Sequence, residues 1–360
     1  MMTKEEILQK IERTIGKDAV PESEIWNRVR KLCEDEFQQF LPNSPLKPAA
    51  QFVTEFEQMR GCQTRYIPTD FYDLDKLLCG GFSEGEFVVI GGRPMAGKTL
   101  LLTLLSLNIS KTLPVLFLSY ELAEHLLFSR IISTLSTLPI EKILQRSTLD
   151  SAESLLMKDA LQQLENRSLY ITDKRLNFDM LIADCVKQIE EHGIKMIMLD
   201  YIQLLCYSSN RKYNRDAEID EICRKLRELA KKCNVCIVAA SQLNRGVECR
   251  SGDAKRPMLC DLRDSGGIEE HADKVILLNR PENYGILTDA TGVSTKDKVE
   301  LILAKNASGS IGEAVLLFDT LINRLVNKLN IDVFKNRLSE LGLDQFNKLV
   351  NDWELKEAPF

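Results

Sequence analysis

An apolar, β-branched run at 87–91 ends in Gly92-Arg93-Pro94-Met95-Ala96-Gly97-Lys98-Thr99, and a second apolar run leaves from Lys98. This turn leaves few folds open. Its glycines let the backbone curl until successive N–H groups converge on one point. A helix starting at Lys98 adds the positive end of its dipole behind them. Together these groups bind phosphate oxygens, provided a strand feeds the turn and a helix leaves it. On this spacing the segment from Gly92 to Leu100 cradles the phosphates. Lys98 reaches the β- and γ-phosphates, and the Thr99 hydroxyl holds Mg²⁺. A chance glycine-rich turn would not need all three fixed positions of G-x-x-x-x-G-K-[ST] together with that context.

The rest of the chain alternates in the same way. Strand-like runs lie at 87–91, 114–119, 168–172, 194–200, 235–240, 274–278, 299–304 and 314–318. Helical patterns run from Lys98, from about Glu121 to Ser136, from Phe178 to His192 (closed by Gly193), and from about Ala217 to Lys232. Strands alternating with helices predict an α/β fold: a mostly parallel, twisted sheet flanked by helices. The last strands lack helices between them, so that edge is expected to be antiparallel. In such a sheet the run 194–200 ends in Asp200, at the strand edge where a metal-holding carboxylate belongs. The bland alternative is an aspartate capping the next loop. Glu121, just after the run 114–119, falls at the same edge. It is placed to orient or deprotonate a water, or simply to match a helix dipole.

The ends read differently. Residues 1–48 look like a helical appendage: Thr3 can cap a helix carrying Ile7, Leu8 and Ile11, and a second helix spans about 22–40. Three prolines between Leu41 and Pro48 break it. Residues 49–61 predict a linker helix, 62–328 the main domain, and 329–360 a helical tail interrupted at Gly342. The first ten residues hold no apolar leader, so the ten cysteines are expected as reduced thiols in the cytoplasm. Cys233 and Cys236 form the single CxxC, without a second pair or histidines at finger spacing, which favours structural thiols over zinc. The apolar runs fall far short of the about 20 residues a bilayer needs, so no membrane is expected. The net charge of −6 excludes a simple basic coat; any nucleic-acid contact must come from a local surface.

In chain order, Gly-Arg-Pro of the phosphate turn, Leu-Ser-Tyr-Glu121, Leu-Asp200-Tyr-Ile-Gln203, Ser241-Gln242-Leu-Asn244-Arg245 and Asp261-Leu-Arg263-Asp264-Ser-Gly-Gly267-Ile-Glu269 resemble the RecA-like C-terminal ATPase domain of DnaB-type replicative helicases. The likeness covers 62–328. It implies a RecA-like P-loop NTPase that hydrolyses ATP with Mg²⁺ at subunit interfaces of a homo-oligomer, expected as a hexameric ring around single-stranded DNA. It implies that Glu121 is the catalytic glutamate, that Gln242 senses the γ-phosphate, and that Lys305 acts on the neighbour's nucleotide. It places Arg263, Asp264 and Gly266 in a loop facing DNA phosphates. The stretch with Arg245, Arg250, Lys255 and Arg256 suits the same channel, although charge alone reads it as a solvated loop. Two departures stand out. Where the family carries Lys-x-Arg, this chain reads Lys305-Asn306-Ala307, leaving Ala307 at the arginine-finger position, with Arg280 a nearby substitute. Residues 1–48 are also shorter than the family's primase-contacting domain. These departures motivate an alternative reading, an ATP-gated assembly module with little unwinding activity. The helical termini suggest docking to a protein partner.

Overall fold

Strands buried on both faces must be apolar along their whole length, because no side is left for polar residues. The computed structural model shows this in β3 (Phe87–Gly92), β4 (Val115–Ser119), β6 (Met196–Asp200) and β8 (Lys274–Asn279), each buried at every residue. The described residues are 49, 66–145, 149–207, 215–250, 255–262, 265–289, 292–319 and 324–326. The chain divides into two compact units, Met1–Thr64 and Arg65–Phe360, and the second holds every described strand. Apart from Ala49, the expected helices of 1–48, 49–61 and 329–360 lie outside the described residues.

Numbered in chain order, the remaining described elements are β1 (Tyr66–Ile67), α1 (Tyr72–Leu77), β2 (Phe82–Ser83), α2 (Lys98–Ile109), α3 (Glu124–Ser136), α4 (Ile140–Leu144), α5 (Ser151–Glu165), β5 (Leu169–Thr172), α6 (Phe178–His192), α7 (Arg215–Cys233), β7 (Cys236–Gln242), α8 (Ser265–His271), β9 (Lys298–Asn306), β10 (Gly312–Asp319) and β11 (Arg324–Val326). The main sheet has the order β11-β10-β9-β8-β3-β7-β6-β4-β5. From β8 to β5 every pairing is parallel; β8–β9, β9–β10 and β10–β11 are antiparallel. The edge without intervening helices is therefore antiparallel, as its sequence predicts. β1 and β2 form a separate two-stranded ribbon.

Two apolar cores sandwich the sheet. One joins Leu101, Leu102 and Leu105 of α2 to Val88, Ile90, Phe117 and Met198. The other joins Phe178, Ile222, Leu226 and Ile268, from α6, α7 and α8, to Val89, Leu199 and Leu277. α2 is apolar almost all round and buried along nearly its whole length, as expected of a helix enclosed by its neighbours. This fixes its N-terminus, and with it Lys98 and Thr99, against the C-terminal end of β3. Cys236 lies fully buried in β7, and the described cysteines are all free thiols.

The short elements β1, α1, β2, α8 and β11 have no counterpart among the expected runs, and two further departures are larger. α3 begins at Glu124 rather than Glu121, because the Tyr120 and Glu121 amides are drawn to the Asp200 carbonyl before the helix starts (2.9 and 3.1 Å). α4 and α5 fill a stretch with no expected element. α5 opens with a capping box in which Asp150 and Glu153 satisfy each other's backbone N–H.

Candidate nucleotide site and channel loop

Parallel strands deliver their C-terminal ends to one edge, and the chemistry-bearing residues collect there. β3 hands over to the phosphate turn. Gly97 enters α2 with φ +101°, a conformation that disfavours any side chain. Lys98 is buried, and its Nζ donates to the Arg93 carbonyl at 3.2 Å. Burial pushes its ammonium pKa down, against the pull of Asp200 and Glu121. Thr99 Oγ1 donates to Asp200 Oδ2 at 2.6 Å.

Asp200 ends β6 with no exposure to solvent. Burial raises its carboxyl to about 6; the Thr99 hydroxyl opposes this and Glu121 adds to it. Its second oxygen, Oδ1, is buried without a hydrogen-bond partner. An orphaned carboxylate oxygen normally costs about 1–3 kcal/mol. Here it lies beside a threonine hydroxyl and a phosphate-binding turn, which is the donor set a hard, oxygen-seeking cation such as Mg²⁺ requires. The residues present therefore fit that ion.

Glu121 is exposed on the loop between β4 and α3. Four hydrogen bonds hold this loop: the Tyr120 and Glu121 amides on the Asp200 carbonyl, Ser119 Oγ donating to the Leu122 carbonyl at 2.7 Å, and Arg175 Nη2 donating to the Tyr120 carbonyl at 2.8 Å. The Asp200–Tyr201 peptide is cis. Gln242 ends β7 directly opposite Gly92. Its amide donates to Gln203 Oε1 at 3.2 Å, while Gln203 Nε2 donates to Ser241 Oγ at 2.9 Å. Gln203 thus sets where Gln242 stands. Gln203 stands three residues past Asp200, and nothing in that spacing assigns it a role, because the role comes from contacts across to β7. Arg130 of α3 acts on Asp200 electrostatically and was not anticipated either.

Outside the phosphate turn, the other expected residues lie apart from this cluster or beyond the described residues. The Arg93 side chain turns away from the phosphate turn toward Leu243 and Glu248. Pro94 and Met95 are exposed, Ala96 and Leu100 buried. Arg250 is paired with Asp261 through both terminal nitrogens. Arg245 is exposed in the 3-10 turn Arg245–Cys249. Gly266 is exposed, with open space where a Cβ would stand. Arg263 and Asp264 lie outside the described residues. Lys305 Nζ donates to the carbonyls of Glu269 (2.6 Å) and Glu270 (3.3 Å), in the last turn of α8. Ala307 is exposed in the turn after β9. Arg280 stacks on Phe318, 4.2 Å from the ring centroid, and pairs with Glu282.

The model of the DnaB-like helicase C-terminal domain matches residues 66–327. The chain belongs to this family. It is 33% identical over 264 residues to the replicative DNA helicase DnaC of Bacillus subtilis, covering 72% of this chain and 56% of that one. It is 37% identical over 261 residues to a probable plasmid replicative DNA helicase of Chlamydia psittaci, covering 71% and 54%. Among solved structures, a DnaB-like replicative helicase described with its interactions with primase superposes with a TM-score of 0.72 at 26% identity, covering 89% of this chain and 74% of that chain. The DnaB-like chain thus spans little more than half the length of the curated replicative helicases it matches. Among its described residues, no helix is long and apolar enough to cross a membrane.

Proposed function

We propose that this chain is an ATP-driven DNA helicase or translocase that holds single-stranded DNA in the channel of a hexameric ring. The observation that carries the reading is the convergence of Lys98, Thr99, Asp200 and Glu121 at one strand edge, with Gln242 beside the phosphate turn. The backbone from Gly92 to Leu100 holds the phosphates. Thr99 and Asp200 hold Mg²⁺, which when bound neutralises developing phosphate charge. Glu121 orients a water against the γ-phosphorus and takes its proton as the bond to the β-phosphate oxygen breaks. Lys98 offsets charge on the departing phosphate. Gln242, held by Gln203, senses whether the γ-phosphate is present.

Arg245, Arg263, Asp264 and Gly266 face the DNA backbone in this reading, so recognition is sequence-tolerant. Arg250 shapes the loop through Asp261 instead of contacting DNA directly. Lys305 reaches the neighbour's nucleotide once subunits close, exchanging its carbonyl partners for phosphate. Residues 1–48 and 329–360 dock a protein partner, 49–61 link to the 62–328 motor, and the chain works in the cytoplasm.

The test is ATP-dependent separation of a forked duplex carrying a single-stranded tail, run beside Glu121→Gln. Separation by the wild type, lost in the variant while ATP still binds, supports the motor. ATP hydrolysis without separation moves the reading to an assembly module.

A further inference from the structure

Arg93 lies inside the phosphate turn, yet its guanidinium is buried away from it. Nη1 donates to the Leu243 carbonyl at 2.9 Å, while Nε and Nη2 both donate to Glu248 Oε1, at 2.8 and 2.6 Å. The Arg93 carbonyl accepts the bond from Lys98 Nζ. One residue therefore touches the phosphate-binding lysine through its backbone and the next loop through its side chain.

That loop is tied at its base. The Leu243 amide donates to the Gly92 carbonyl at 3.3 Å, and Leu243 bridges to Leu262. The Asn244 amide donates to the Asp261 carbonyl at 2.7 Å, and the Asn244 side chain caps the turn holding Glu248. Leu262 immediately precedes the segment 263–266. Arg93 is buried and Glu248 half exposed, so the pair is held chiefly from the arginine's side, where losing the carboxylate would leave a buried charge on the Leu243 carbonyl alone. A planar fork transmits orientation as well as distance.

We propose that Arg93 and Glu248 are a positioning pair that couples nucleotide occupancy at the phosphate turn to the arrangement of the turn Arg245–Cys249, and so to the hold of Arg245 on single-stranded DNA. The γ-phosphate adds its pull to that of the β-phosphate, so an ATP analogue draws Lys98 further off the Arg93 carbonyl than ADP does. The turn then relaxes at Arg93, and Glu248 carries the shift to the loop base. This rests on the reading of that loop as DNA-facing.

The experiment measures affinity for a fluorescent oligothymidylate with a non-hydrolysable ATP analogue and with ADP, beside analogue affinity without DNA. The chains compared are wild type, Glu248→Gln and Glu248→Lys. Coupling between sites is typically about 5–150-fold and reciprocal. The wild type should show an affinity ratio in that range between the two nucleotides. Glu248→Gln should shrink the ratio at least about fivefold, and Glu248→Lys, which repels Arg93, should bring it close to one. Analogue affinity without DNA should stay unchanged in both. A wild-type ratio in both variants overturns the proposal, and so does an equal loss of analogue affinity, which marks a structural role. A wild type that binds no oligothymidylate defeats the DNA reading itself, and the pair falls with it.

Discussion

Asp200 carries the sharpest consequence for a single residue. Burial lifts its carboxyl from 3.8 to about 6, so the folded chain prefers the neutral acid. Between those values the unfolded chain has lost the proton and the folded chain still holds it. The contribution of this group to stability is therefore full below about 4, falls as pH rises to about 6, and is flat above. Metal-free Asp200→Asn removes that penalty. At pH 7.5 the variant should be the more stable, on the order of 2 kcal/mol, and the difference should fade toward pH 4. Thermal unfolding in chelator across that range checks it; a variant less stable at pH 7.5 would contradict it. Conversely, Mg²⁺ affinity should drop below about pH 6, because the ligand must be ionised. Asp200 was legible in the sequence because an apolar run ended in it. Gln203 and Arg130 were not, since their roles depend on side chains meeting across strands and helices.

At the scale of elements, α8 rests against α7 through Gly267. A Cβ there would lie 2.4 Å from the Asp220 Cα, a backbone atom that cannot swing aside as the Asp220 carboxylate could. The neighbouring Gly266 is open. Gly267→Ala should therefore destabilise the fold by about 1–3 kcal/mol, while Gly266→Ala should leave the unfolding midpoint within about 0.5 kcal/mol of wild type. Denaturant titration separates the two; equal effects would deny that α8 is pinned by this contact. Both glycines stand in one motif; the resemblance gives Gly266 a place facing DNA, and nothing in the sequence marks Gly267 as a packing contact. Period and punctuation did reveal the parallel strands and α6, which runs from Phe178 to His192 as read and closes at Gly193 in a left-handed conformation. They missed where α3 starts, because a long-range bond to the Asp200 carbonyl sets that boundary. They also missed α5, although Asp150 and Glu153 stood at capping-box spacing.

Over the whole molecule, the proposed ring leaves each nucleotide site to be completed by a group from a neighbouring subunit. Ala307 stands exposed in a turn where the family pattern has arginine, and the described alternative, Arg280, is committed to Phe318 and Glu282. DNA-stimulated turnover should therefore be slow. Ala307→Arg should raise kcat at least about tenfold with little change in KM, given that trans fingers contribute about 10³–10⁵ in other NTPases. Steady-state kinetics on the assembled ring decides it; an unchanged kcat would show that the exposed turn does not reach the nucleotide. The account as a whole depends on ATP turnover answering to DNA. Its most direct test is the steady-state ATPase rate with and without single-stranded DNA, at two salt concentrations. The account predicts clear stimulation, with the DNA concentration needed for half of it rising with salt, because log affinity for single strands falls by about 0.7 per phosphate contact per tenfold salt. ATP hydrolysis indifferent to DNA at both concentrations would contradict it.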